Sequence, residues 1–335
     1  MNVTDKKGNI LLKLVVSFLV AGIFLYFCFR GVNWSDFAAG LKDCRWPFAI
    51  LSMTIGAGAF LFRGLRWRQL CAPLDPSVKA LTTYNAVCVG NMANFIAPYF
   101  GELVRLSIVA RRSLPSDGGK PALGPDKVLG TMALERLLDV ISLGVLLLLL
   151  LVFKWNEFGT FFAEKIFVGS KASVALLIVA AILLCGFSLL VFLAVRLSGK
   201  SRLFAKVYDF LKGLLDGFKS FLAMDRKALF ILYTVLIWAC YWFQIVLALE
   251  AMPAVAGLTL ADALFLMLAG SLASVAPTPG GFGAFHYIMS LALSSIYGLP
   301  WEAGMAFAVL AHETQALTMI ITGGVSYVSE LIRKK

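Results

Sequence analysis

The chain has 335 residues, of which 60% are hydrophobic and 15% charged. Soluble domains carry about a quarter charged residues, so the composition excludes a soluble globular protein and indicates a polytopic membrane protein. A net charge of +11 would suit nucleic acid, but the bases lie between hydrophobic runs, where they set topology and meet anionic headgroups.

Apolar segments fall at 10–29, 47–62, 80–97, 128–153, 172–195, 228–249, 260–276, 284–298 and 302–328. The first accompanies Lys6, Lys7 and Lys13 and lacks a clear small-residue cleavage site. It is also longer than a signal-peptide core, so it reads as a retained span. With the N-terminus in the cytoplasm, the N-terminal tail, 63–79, 105–127, 196–227 and the C-terminal RKK hold 23 of the 30 Lys and Arg. The outer stretches 30–46, 154–171 and 250–259 hold 3, 3 and 0, and Arg136 lies inside a span. The bias places both termini in the cytoplasm.

This orientation constrains two segments. Residues 63–79 and 105–127 share one side, so the chain between them enters the membrane and returns at a turn marked by Asn91, Asn94, Pro98 and Gly101. Residues 250–259 and Trp301 share the other side, so 260–298 returns at Pro277–Gly283. Proline lacks a helix donor and glycine lacks restraint, so PTPGGFG at 277–283 breaks any helix. Broken backbone in lipid survives only where protein or a water-filled cavity covers it, and transporters place substrate at such breaks. The expected fold is an all-α polytopic membrane protein: about six full transmembrane helices with two re-entrant hairpins entering from opposite sides. Ordinary spans kinked at proline are the alternative. Residues 201–222 repeat apolar side chains at helical spacing with charged residues between them, which predicts an interfacial amphipathic helix. The whole of 1–335 reads as one transmembrane domain.

Candidate chemistry lies in four places. Arg63 and Arg66 flank the cytoplasmic interface with Trp67, either as a topology anchor or as a headgroup contact. Glu102 and Arg105, with Asn94, Pro98 and Gly101, lie at the first turn; Glu102 and Arg105 are one helical turn apart on one face. Glu135 and Asp139 share a face, while Arg136 points away. Each such charge costs about 2.5–3.5 kcal/mol at mid-bilayer, so they need partners, water or shallow depth. A structural ion pair of Arg105 with Glu135 or Asp139 is one solution. The fourth place holds Pro277, Pro279, Gly280, Gly281 and Gly283 of the break, then His286, His312 and Glu313. Histidine changes charge near neutral pH, so this pair either couples to protons or packs as hydrogen-bonded core. No phosphate loop, zinc-protease helix, CxxC pair or serine elbow occurs. Six scattered cysteines read as packing residues. The reading therefore carries no catalytic residue, cofactor, metal or nucleic acid.

FRGLRW at 62–67, NFIAPYFGELVR at 94–105, ERLLD at 135–139 and PTPGGFG at 277–283, in this order, resemble the lysylphosphatidylglycerol synthase transmembrane-region family of flippase-like proteins. The resemblance spans about residues 10–330 and implies movement of lipids across a bilayer. Family members usually carry a glutamate after the break, where this chain has His286, and an arginine near His312. If those two form a charged pair, this chain replaces both ends. Some family members carry a fused aminoacyl-transferase domain, and here the sequence ends at Lys335. The expected function is a lipid translocase of the bacterial inner membrane for an anionic-headgroup lipid or lipid-linked precursor, more transporter than enzyme. The alternatives are an intramembrane aminoacyl or glycosyl transferase, with Glu135 and Asp139 as acid and base, or a membrane subunit of a separate lipid-modifying enzyme.

Overall fold

The structure is a computed structural model describing residues 3–113, 123–154, 196, 208, 224–274 and 276–333, with side chains from Leu14 onward except that of Phe153. Among these residues it is all helical. The helices are α1 (Val3–Phe29), α2 (Trp34–Lys42), α3 (Trp46–Cys71), α4 (Ala80–Ala93), α5 (Phe100–Arg112), α6 (Pro125–Phe153), α7 (Lys227–Ala251), α8 (Leu260–Ala273), α9 (Ala284–Tyr297) and α10 (Trp301–Ile332). A single 3-10 turn, Pro279–Gly281, precedes α9.

Three of these helices, α3, α7 and α10, are long and apolar enough to cross a bilayer, and α1 with α2 makes a fourth if that bent pair is one span. Helix α6 is 29 residues long, but Glu135, Arg136 and Asp139 interrupt it, so its uncharged part is 140–153. The expected span 172–195 and the interfacial helix 201–222, Tyr208 apart, lie outside the described residues.

The chain forms two compact units: Met1–Gln69, Val78–Arg112 and Arg226–Lys335 make one, Leu70–Ser77 and Ser113–Asp225 the other. In the first unit, α10 is the common support. At 32 residues it extends about 48 Å, enough to cross the roughly 30 Å hydrocarbon layer with margin. Helices α4, α8 and α9 have 14 residues each and α5 has 13. These extend only about 20 Å and cannot cross.

They form instead two hairpins that run along α10 from opposite ends. Near the C-terminal end of α10, Asn85 donates to Glu330 Oε1 at 2.9 Å and Arg333 to Thr82 Oγ1 at 3.3 Å. Arg112, closing α5, donates to Glu330 Oε2 through both Nε (3.1 Å) and Nη2 (3.0 Å). Both ends of the α4–α5 hairpin therefore sit at one end of α10. At the other end, Gly304 packs against Ser290 and Leu293 of α9, and Tyr297 donates to Asp262 Oδ1 of α8 at 3.1 Å. A capping box at Thr259 and Asp262 starts α8. Two opposed hairpins are thus present, and the kinked-span alternative is not.

Three boundaries differ from expectation. Asn91 belongs to the last turn of α4 and Gly101 to the first of α5, so the turn proper is 94–99. Helix α3 continues past 62 to Cys71, because Arg63, Arg66 and Arg68 are good helix formers and nothing there breaks the helix. The stretch 30–46 contains an unforeseen helix, α2. Asn33 caps it by accepting from the Ser35 amide at 3.0 Å, with Asp36 in the first turn and Lys42 in the last. It turns 94° from α1 and lies against α10, with Gly40 facing Ala306.

In the second unit, Asp75 Oδ1 accepts from the Ser77 amide at 2.9 Å and Oδ2 from the Ser113 hydroxyl at 2.5 Å. The Leu123 amide donates to Ser113 Oγ at 2.8 Å. These bonds tie residues 75–77 to the chain just before α6. On α6, Glu135 is buried, Asp139 half-buried and Arg136 exposed, matching the expected division of faces.

Candidate functional site

The two hairpins meet at their tips. The Gly280 amide donates to the Asn94 carbonyl at 3.0 Å, and the Phe95 and Phe282 rings contact edge to face at 5.9 Å between centroids. This point is about 16 Å along α10 from Trp301 and about 27 Å from Glu330, at the level of His312. Asn94 caps α4 and its Oδ1 accepts from the Gly101 amide at 2.8 Å, so one residue closes its own turn and holds the opposite one. Pro98 is half-buried and Tyr99 exposed with φ 62°.

The break adopts this path because glycine allows it. Gly280 has φ 59°, and a Cβ there would overlap the Phe95 ring. Gly283 has φ 81°, and a Cβ there would come within 2.7 Å of the Ala21 carbonyl oxygen of α1. Only a residue without a side chain fits either position. The Cys28 thiol of α1 donates to the Gly283 carbonyl at 3.7 Å, and the Trp301 indole to the Cys28 carbonyl at 2.9 Å. Pro279 is buried, Pro277 exposed and Gly281 half-buried.

Beside the tip, His286 and His312 come together with ring centroids 4.8 Å apart. His286 is the third residue of α9, and its Nδ1 accepts from the Gly283 amide at 3.4 Å, the usual position for a side chain that caps a helix start. His312 Nε2 faces the Gly280 carbonyl at 3.0 Å and its Nδ1 faces Glu313 Oε1 at 3.1 Å. Glu313 Oε1 also lies 3.5 Å from His286 Nε2. The histidines are 3% and 5% exposed, whereas the Glu313 side chain is 46% exposed. Phe282 and Phe285 enclose His312, with centroids at 4.8 and 5.4 Å. Thr278, at the entrance to the turn, is buried, and its hydroxyl has no hydrogen-bond partner.

The arginines of the first unit are set into protein. Arg105 is 4% exposed. Its guanidinium lies 4.2 Å from the Trp67 ring centroid, within cation–π range, and 3.5 Å from Glu102. Arg66 is fully buried, with Nη1 3.4 Å from Thr234 Oγ1 and its guanidinium 5.8 Å from the Phe230 ring. Arg63 is half-buried and donates to Tyr241 at 3.1 Å. The FRGLRW segment is therefore packed against α4, α5 and α7. Glu135, Arg136 and Asp139 belong to the other unit.

The sequence-predicted residues thus resolve into groups. Asn94, Gly280, Gly281, Gly283, His286, His312 and Glu313 share one location. Glu102 and Arg105 form a pair on α5, while Arg63 and Arg66 line α3 against α7. Sequence reasoning missed Phe95, Phe282, Phe285, Cys28 and Thr278. The three phenylalanines and Thr278 lie inside or next to the two broken motifs, and aromatic residues flanking a helix break were the available signal.

No curated protein and no solved structure matches the chain. The family described as lysylphosphatidylglycerol synthase TM region matches residues 10–323. With that match across nearly all of an all-helical, multi-pass architecture, the chain belongs to the lysylphosphatidylglycerol synthase TM region family, integral membrane proteins of lipid metabolism or transport.

Proposed function

We propose that this protein is a lipid translocase of the bacterial inner membrane, with both termini cytoplasmic, moving a lipid or lipid-linked precursor with an anionic headgroup. The observation that carries the reading is the tip-to-tip contact of Asn94 and Gly280. Two short hairpins that meet tip to tip support a barrier between two faces, and parting them from either side would alternate access. The α4–α5 hairpin offers Arg105, held on Trp67, as a guanidinium for a phosphate oxygen, with Glu102 as its resting partner. Arg63 and Arg66 supply further positive charge on the same side. Glu135, Arg136 and Asp139 are assigned to the polar lining of the second unit.

The test is translocation of fluorescent lipids in proteoliposomes. Headgroup-selective movement of an anionic lipid above protein-free vesicles is expected, reduced at least tenfold in Arg105→Gln. Absence of selective movement under every imposed ion gradient overturns the reading. Mass spectrometry of lipids from deletion cells separates transport from chemistry, because a missing headgroup species, rather than a changed leaflet distribution, identifies a transferase.

A further inference from the structure

His286, His312 and Glu313 are the group among the described residues whose nitrogen and carboxylate atoms converge on one point. We propose that they bind a divalent transition-metal ion, through His286 Nε2, His312 Nδ1 and Glu313 Oε1. These atoms lie within 4.8 Å of one another. Two separations are already 3.1 and 3.5 Å. A tetrahedral ion with bonds near 2.0–2.1 Å spaces its ligands by about 3.3–3.4 Å, so two edges of the coordination shell are near that length and the third, within 4.8 Å, must close by reorientation of the His286 ring.

The hydrogen-bond chemistry points the same way. The Gly280 carbonyl only accepts, so His312 Nε2 carries the ring hydrogen in the 3.0 Å contact. In the neutral ring, Nδ1 is then a lone pair aimed at a carboxylate oxygen 3.1 Å away. Two lone pairs so placed need a positive charge between them. A metal-bound imidazole donates its far N–H to a backbone carbonyl, which is the partner His312 already has. A proton on His312 Nδ1 would bridge only His312 and Glu313, with the Nε2–H of neutral His286 left as a long donor to the same oxygen. His286 Nε2, at 3.5 Å, is beyond the normal range of a good hydrogen bond to Glu313. A metal ion uses all three side chains. Without an ion, His286 Nδ1 accepts from the Gly283 amide at 3.4 Å, which leaves the ring hydrogen on Nε2; ligation through Nε2 requires the other tautomer and the release of this long contact.

Two imidazoles and one carboxylate suit zinc, cobalt, nickel, iron or manganese better than calcium or magnesium. Three protein ligands leave a coordination position for water or an anionic oxygen. The half-exposed Glu313 side chain provides the approach. This site does not depend on the cargo, so its failure leaves the translocase reading standing, and the converse holds too.

The experiment uses full-length protein in detergent, purified with a tag free of histidine and stripped with a chelator. Titration with Co²⁺ is followed by its visible absorption, and with Zn²⁺ by competition and thermal unfolding. One ion per chain is expected, with visible bands typical of four- or five-coordinate cobalt and a higher unfolding temperature. Glu313→Gln, close in shape, should weaken binding at least tenfold, as should His312→Gln. Wild-type protein that binds no Co²⁺ or Zn²⁺ at micromolar concentration overturns the proposal, whatever the variants do. So does binding that Glu313→Gln and His312→Gln leave unchanged, or stabilisation by acidification with no response to metal.

Discussion

At Gly280 a left-handed backbone and the Phe95 ring act on the same atom position. An alanine there meets both the φ penalty, about 1–2 kcal/mol, and overpacking against an aromatic ring, about 1–3 kcal/mol. Gly280→Ala should therefore lower stability by roughly 2–5 kcal/mol, read by thermal unfolding in detergent. Gly298 is the control, with φ 66° and open space around it, so Gly298→Ala should cost only about 1 kcal/mol. Equal losses at the two positions would show that the tips do not touch. Trp67 offers a second comparison, because Arg105 lies on its ring. Trp67→Ala removes both the stack and a buried volume, about 3–5 kcal/mol. Trp67→Phe keeps an aromatic face and should cost less than half as much. The helix-breaking prolines and glycines of the break were legible from residue type alone. The ring that fills the space beside Gly280 was not, because Phe95 comes from a distant segment and leaves no local pattern.

At the scale of elements, hairpin α4–α5 is fastened at its open end by a single carboxylate. Glu330 is 8% exposed and accepts from Asn85, Arg112 and Arg333. Breaking a fully buried pair costs about 3–5 kcal/mol, but the arginines are 26% exposed. Glu330→Gln should therefore cost about 1–3 kcal/mol. It should also raise the rate at which a cysteine at position 109, where Val109 is buried on α5, reacts with a soluble thiol reagent. An unchanged rate would mean that packing, not this ion cluster, holds the hairpin. Charge sorting along the sequence was enough to expect both hairpins, since each follows from two flanking stretches on one side. Helix α2 escaped it, because an outer stretch with only three bases gives no sign of internal order. Its signals were the Asn33 cap and Asp36, which are weak in nine residues. The partners of the α3 arginines were hidden for a different reason. Charge density suggests an interface but not that Arg66 packs on the Phe230 ring of α7 and Arg105 on Trp67.

For the whole molecule, sidedness is the testable property. In a background with the native cysteines replaced by serine, thiol labels at Lys79, Ser113 and Arg333 should react from one face of the membrane. Labels at Thr259 and Leu299 should react only from the other. Reaction of Lys79 and Ser113 from opposite faces would turn the α4–α5 hairpin into a crossing span and remove the basis of the translocase proposal. Charge bias predicts the first group to be cytoplasmic.

The contact between the tips has a thermal consequence. One amide–carbonyl bond is worth about 1 kcal/mol net, and one edge-to-face aromatic pair about 0.5–1.5 kcal/mol. Taken alone, these two contacts amount to about 2 kcal/mol, the scale at which a form with the tips apart is populated at roughly a few per cent. A lipid that gains a few kilocalories by binding between the hairpins would make that rare form the common one, without any large element unfolding.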